Sequence, residues 1–164
     1  MQFVVDRMTQ QDWPAVQFIY REGIASGNAT FEIELPDWEQ WDKIHLPNCR
    51  LVARSDNQIV GWAALSLVST RCVYAGVAEV SLYVKASERG KSIGKALLSA
   101  LIEESEHRGI WTLDASIFPE NVASIALHKS FGFREVGYKE RIGQMGGVWR
   151  DVILMERRSK VTGI

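Results

Sequence analysis

The stretch Arg89-Gly90-Lys91-Ser92-Ile93-Gly94-Lys95 joins a segment of strand period, Glu79 to Lys85, to one of helical period over residues 92–108. A strand that runs through a glycine-containing loop into a helix gathers unpaired backbone N–H groups and the positive end of the helix dipole at one point, which suits an anionic oxygen. Two phosphate-cradling motifs fail on spacing. A P-loop needs four residues between its glycines and then Lys-Ser or Lys-Thr, but Gly90 and Gly94 enclose three and Ala96 follows Lys95. A dinucleotide fingerprint needs three glycines at the head of a parallel βαβ unit, and this loop has two. The plainer alternative is a chain turn at Gly90 with Ser92 as a helix cap.

Three further polar positions could do chemistry. Glu79 alternates with Val80 and Leu82 at the mouth of the strand. Partial burial there would raise its carboxyl pKa toward that of a useful base, although a solvated strand carboxylate or an ion-pair partner fits the same pattern. Asn121 opens the apolar segment "NVASIALHKSFGF" with Ser124 one turn on, an N-cap and a polar first-turn residue on local grounds. Within it, His128 could donate a proton near neutrality or make a hydrogen bond at the helix surface.

These positions need elements to hold them. Phe3 to Val5 read as a strand, and Thr9 with Asp12 as a capping pair ahead of a helix "WPAVQFIYREGIAS" that ends near Gly27. Pro36 can begin a shorter helix, "PDWEQWDKIH", with Trp38 and Trp41 on one face. Arg50 to Arg54 and Gln58 to Leu67 are strands around an Asp56-Asn57 turn, with Glu79 to Lys85 another. After helix 92–108, with its His107-Arg108-Gly109 stop, come the strand "WTLDASIF", the Asn121 helix, and a strand pair turning at Met145-Gly146-Gly147. The order β α α β β β α β α β β predicts an α/β fold, a mixed sheet with helices on both sides.

Composition narrows the class of partner. With 164 residues, 46% of them apolar, the chain is long enough for one domain with a real core. Lys and Arg number 19 against 20 Asp and Glu, so no strong field draws nucleic acid or anionic lipid, and a small molecule is the favoured partner. Cys49, Cys72 and the histidines at 45, 107 and 128 are scattered at no metal-binding spacing, so no metal is expected. No apolar run reaches spanning length, and a soluble cytoplasmic protein is the expectation.

Arg89-Gly90-Lys91-Ser92-Ile93-Gly94 resembles the Arg-x-x-Gly-x-Gly loop of the GCN5-related N-acetyltransferases, with Ser92 where that family usually has glycine. Pro119 to Tyr138 resembles its second signature. Along nearly the whole chain the likeness is to the phosphinothricin acetyltransferase branch, also described as methionine sulfoximine and methionine sulfone acetyltransferases. It is carried by "AEVSLYV", the loop and "NVASIALHKSFGF", more weakly by "ASGNATFE" and "GGVWRDVILMER". The resemblance implies the GNAT fold over residues 1–164 and acetyl-coenzyme A as co-substrate. The coenzyme would lie on the backbone of Leu82, Tyr83 and Val84, on the loop Arg89, Gly90, Lys91, Ser92, Ile93, Gly94 and Lys95, and on Asn121 and Ser124.

It also implies Glu79 as the base, through water, and places His128 where many members have a tyrosine acid. Arg71, Cys72, Val73 and Tyr74 match the loop that contacts an amino-acid substrate, where the Arg71 fork can take an α-carboxylate. Phe31 and Glu32 match positions near the pocket, sometimes contributed across a dimer, although Glu32 fits a solvated charge flanking the helix better; a homodimer is implied. The expected reaction is N-acetylation of a small L-amino acid or analogue by direct attack in a ternary complex. Neither cysteine has a partner suggesting a covalent intermediate. The alternatives are acetylation of a protein N-terminus or lysine, and a coenzyme-binding sensor without chemistry.

Overall fold

A computed structural model describes residues 2–164. Seven strands, β1 (Val4–Arg7), β2 (Leu51–Ser55), β3 (Gln58–Leu67), β4 (Val77–Val84), β5 (Thr112–Ile117), β6 (Arg134–Met145) and β7 (Val148–Arg158), make one sheet in the order β1-β2-β3-β4-β5-β7-β6. Every neighbouring pair is antiparallel except β4 with β5. Four helices flank it: α1 (Trp13–Ser26), α2 (Trp38–Ile44), α3 (Ile93–His107) and α4 (Val122–Ser130). The order along the chain is the one the sequence predicts.

Period-two alternation divides the sheet between two cores. On one face Leu97, Leu98 and Leu101 of α3 pack with Leu113, Ala115 and Ile117 of β5 and with Val80, Leu82 and Val84 of β4. On the other, Val16, Ile19 and Tyr20 of α1 and Trp41 of α2 pack with Trp62 of β3 and Tyr83 of β4. Asp37 caps α2 by accepting from the Gln40 N–H at 2.9 Å. Asp12 reaches back to the Thr9 N–H at 2.8 Å and also accepts both arms of the Arg54 guanidinium, at 2.9 and 2.8 Å, tying the start of α1 to β2.

The parallel pair is short, and that decides where a ligand can enter. β4 and β5 stay in register only from Val77↔Thr112 to Glu79↔Asp114. Beyond that level β4 continues against β3 as far as Val84, while β5 continues against β7 as far as Ile117. The two central strands therefore part after Glu79. Parity fixes which amides face the gap. The Lys85 N–H donates to the Val60 carbonyl, and the Val68 N–H to that of Val77, so odd-numbered β4 residues bond to β3 and even-numbered ones face β5.

Candidate active site

A cavity of about 490 Å³ lies where β4 and β5 part. Glu79, Ser81, Leu82 and Tyr83 line it from β4, Ser116 from β5, Asn121, Ser124 and His128 from the α4 segment, and Phe31 and Glu32 from the segment after α1. Glu79 is half-buried, and Ser116 Oγ donates to its Oε2 at 3.5 Å. Burial pushes its carboxyl pKa up, the charge of Asp114 pushes in the same direction, and the Ser116 hydrogen bond opposes both.

Among the three β4 residues expected along the coenzyme, parity separates the roles. Leu82 and Val84 turn their amides toward the gap, whereas the Tyr83 amide belongs to the ladder with Trp62 of β3. The Tyr83 ring instead stacks between Tyr20 and Trp62, with centroids 5.0 and 4.9 Å away.

The glycine loop has the donor set that the sequence suggests. Among the described residues, no amide N–H from Gly90 to Lys95 has an intramolecular acceptor, and α3 begins at Ile93. Such a run of amides at a helix start fits an extended anion such as a pyrophosphate. Gly90 and Ser92 both take the left-handed conformation, at φ +78° and +65°. Ser92 stands at the N-cap position of α3, but its hydroxyl makes no capping hydrogen bond, so the plainer alternative of a serine side-chain cap is not what the structure shows. Arg89, Lys91 and Lys95 are exposed, with Lys91 Nζ paired to Glu88 at 2.8 Å. Gly94 lies in a narrow place: a Cβ there would sit 3.4 Å from Leu127 and 3.8 Å from both Leu82 and Val84, so the loop, the gap and α4 converge.

Asn121 caps α4 by accepting from the Ser124 N–H at 3.2 Å and donates to the Asn28 carbonyl at 3.3 Å. His128 is 4% exposed. Its Nδ1 lies 2.7 Å from the Ser124 carbonyl oxygen, which can only accept, so Nδ1 carries the proton. Burial lowers the ring's pKa, partly opposed by that hydrogen bond, and Nε2 has no partner among the described residues. In its neutral form, which burial favours, the ring carries its proton at Nδ1 and a lone pair at Nε2.

Arg71, Cys72, Val73 and Tyr74 form an exposed turn in which the Arg71 guanidinium stands 5.6 Å from the Tyr74 ring centre, and none of the four lines the cavity. Phe31 and Glu32 do line it. Phe31 packs edge-on against Phe118, with centroids 4.8 Å apart. Sequence reasoning passed over Ser116, Phe118, His45, Trp41 and Lys139, which share the lining. The alternation of Asp114 and Ser116 with Leu113, Ala115 and Ile117 is a signal that could have found the first of these.

A sheet parted beside a half-buried glutamate, with unpaired amides at the following helix start, defines a site for transferring a group from a long anionic carrier. Comparison with known proteins gives the group. The Acetyltransferase (GNAT) family profile matches residues 11–133. The chain belongs to this family and is an N-acetyltransferase. It is 30% identical over 151 residues, 88% of each chain, to an L-methionine sulfoximine/L-methionine sulfone acetyltransferase of Pseudomonas paraeruginosa. It superposes on a phosphinothricin acetyltransferase of Sinorhizobium meliloti in complex with acetyl-coenzyme A with a TM-score of 0.89 and 29% identity, covering 99% of this chain and 91% of that one. A ribosomal-protein-alanine N-acetyltransferase of Brucella melitensis gives a TM-score of 0.86 and 34% identity, covering 95% and 99%.

Proposed function

We propose that the protein N-acetylates the α-amine of a small L-amino acid or analogue of the phosphinothricin, methionine sulfoximine or methionine sulfone type, by direct attack in a ternary complex. The observation that carries this reading is the Glu79 carboxylate, half-buried at the level where β4 and β5 part and facing a cavity of about 490 Å³. The Pseudomonas and Sinorhizobium relatives support the substrate class.

Acetyl-coenzyme A supplies an acetyl group already activated as a thioester. The chain's own groups do the rest. The loop amides of residues 90–95, with Arg89, Lys91 and Lys95 around them, hold the pyrophosphate. The gap-facing amides of Leu82 and Val84 hold the pantetheine arm and polarise the acetyl carbonyl, with Asn121 and Ser124 across from them. Glu79 takes the proton from the substrate ammonium, directly or through a water; the freed amine attacks the thioester carbonyl, and collapse of the tetrahedral adduct breaks the C–S bond, releasing coenzyme A as a thiolate that takes its proton from water. His128, at the α4 side of the cavity, holds the Ser124 carbonyl through Nδ1 and so fixes the first turn of α4 beside the coenzyme arm. Phe31 and Glu32 bound the amine pocket. Arg71 to Tyr74, outside the cavity of the single chain, serve the substrate in an assembled homodimer, the state this reading carries along with one acetyltransferase domain and a cytoplasmic location.

The Brucella neighbour supports a second reading, in which the amine is the N-terminal alanine of a protein. One assay separates them. Thiol release from acetyl-coenzyme A is followed with phosphinothricin, methionine sulfoximine, methionine sulfone, free amino acids, an alanine-initiated peptide and a lysine peptide, for wild type and Glu79→Gln. Selective release with the sulfoximine-like compounds, slowed about a hundredfold or more in Glu79→Gln, is expected. Release with the alanine peptide alone transfers the function to the second reading.

A further inference from the structure

Three carboxylates stand in one row across the sheet. Glu79 of β4 pairs with Asp114 of β5, and Asp114 pairs with Glu156 of β7. Residues in register on adjacent strands project from the same face about 5 Å apart, so Asp114 has Glu79 on one side of the row and Glu156 on the other. Their neutralisation is uneven. At the outer end Arg134 binds Glu156 at 3.0 Å. Glu79 has the long Ser116 hydrogen bond. Asp114, half-buried between them, has neither a hydrogen-bond donor nor a cation within bonding distance among the described residues.

The other titratable groups around Glu79 do not screen it. Those lining the same cavity are Tyr83 of β4, Tyr20 of α1, Glu32 after α1, His45 after α2, His128 of α4 and Lys139 of β6. Burial raises the pKa of Tyr20 and Tyr83 and lowers that of both histidines, disfavouring the charged form of each. Glu32 adds negative charge. Lys139 is the one lysine or arginine lining the cavity among the described residues. It sits opposite Val152 on β6, which is separated from β4 by β5 and β7.

We infer that Asp114 is a positioning residue for the reaction: its unneutralised charge, fixed on the adjacent strand, sets through Glu79 the pH at which acetyl transfer switches on. The inference rests on Glu79 being the base. Two carboxylates that share a half-buried site resist joint ionisation, so the pair holds a proton to higher pH than either residue would alone. Burial and Glu156 act on Asp114 in the same upward direction as burial and Asp114 act on Glu79. A base poised this way is stronger when ionised, at the cost of being ionised only at higher pH.

The test is the pH dependence of kcat/KM for wild type, Asp114→Asn, Asp114→Glu, Ser116→Ala and Glu79→Gln. Asp114→Asn is expected to move the acidic limb down by about one pH unit and to lower the alkaline plateau, the two effects having opposite signs at low pH. Asp114→Glu keeps the charge and leaves the limb near its wild-type position. Ser116→Ala, which removes a bond favouring the carboxylate, moves the limb up. A merely structural role lowers activity at all pH values alike in Asp114→Asn, and that result overturns the inference. If Glu79→Gln keeps the wild-type rate and profile, the base assignment falls and the inference with it; a slow Glu79→Gln beside an unmoved Asp114→Asn limb removes the inference alone. A carboxyl ¹³C titration of the wild-type protein needs no foldable variant. Glu79 and Asp114 should show a shared two-step curve, and independent single steps overturn the coupling.

Discussion

Arg150 of β7 donates through Nη1 to the carbonyl oxygen of Gly27 at 2.8 Å, joining the long β6–β7 hairpin to the end of α1. The same guanidinium bonds Asn28 Oδ1 at 3.0 Å and Glu120 at 3.3 Å and lies 4.0 Å from the centre of the Phe118 ring. Gly27 ends α1 in the left-handed conformation, and the chain leaving it supplies Ala29, Thr30, Phe31 and Glu32 to the cavity wall. Arg150 thus clamps one wall from outside. Arg150→Ala should cost about 1–2 kcal/mol of stability, since it removes the charged donor from the part-buried Gly27 carbonyl and the packing on Phe118, while the exposed Asn28 amide is taken up by water. It should also raise KM for the amine more than it lowers kcat. Arg150→Lys should recover little of either, because an ammonium cannot bond three acceptors in the plane of a fork. Thermal unfolding and steady-state kinetics on the same samples check both statements.

Ser92 pays for its place in the loop. Its φ of +65° is a conformation that costs a residue with a Cβ about 1 kcal/mol, and its hydroxyl returns no capping bond. Ser92→Gly should therefore raise stability by about 0.5 kcal/mol, the relief being partly offset by the freer unfolded chain. KM for acetyl-coenzyme A should not change. Ser92→Val, β-branched and ill-suited to positive φ, should weaken coenzyme binding about tenfold or more by rotating the amides that follow. Equal coenzyme affinity in all three proteins would detach the backbone geometry at 92 from binding.

Among the described residues, periodicity and caps were enough to read the α-helices and strands in order, because amphipathic stretches carry their own period; the short 3-10 turns at Gln10–Asp12, Cys72–Tyr74 and Ala86–Glu88, too short to show one, were not read. The loop from Arg89 to Lys95 was legible for the same reason, since unpaired amides at a helix start follow from position alone. What could not be read was set by register. The parting of β4 from β5 after Glu79 leaves no mark on either strand's composition, so Leu82, Tyr83 and Val84 read alike although Tyr83 turns its amide to β3. His128 lies on a helix whose burial depends on a neighbouring strand, and its contact with Phe133, with centroids 4.9 Å apart, comes from the turn that follows α4. Arg150 is separated by 123 positions from the carbonyl it satisfies.

His45 and His128 predict how stability responds to acid. Burial lowers both folded pKa values below the ordinary 6.5, so above that pH folded and unfolded chains are equally neutral at these rings and stability is full. Below it the unfolded chain binds protons that the folded chain refuses, and stability falls with pH until the folded pKa values are passed. Unfolding midpoints in denaturant should therefore be lower at pH 5.5 than at pH 7.5. His128→Asn keeps a donor for the Ser124 carbonyl and has no titrating group, so it should flatten part of that slope. An unchanged slope would assign the acid sensitivity to other groups.

Gly76 decides whether Glu79 and Asp114 meet at all. Its carbonyl accepts the N–H groups of both Trp111 and Thr112, at 2.8 and 3.0 Å, which sets the parallel register three residues before Glu79. A Cβ at this position would lie 2.0 Å from Cε3 of the Trp111 ring. Gly76→Ala must therefore push either the indole or the start of β4, and should cost about 2–3 kcal/mol while lowering kcat through displacement of Glu79. Gly137→Ala is the matched control, because a Cβ there meets nothing within 4 Å and its φ is not positive. Trp111→Ala removes the obstructing ring, so the double variant should lose less than the sum of the two single losses. That non-additivity, read by unfolding and by kcat together, would tie the parallel register to the ring contact; a Gly76→Ala no worse than Gly137→Ala would mean that the strand accommodates the methyl and that register is set elsewhere.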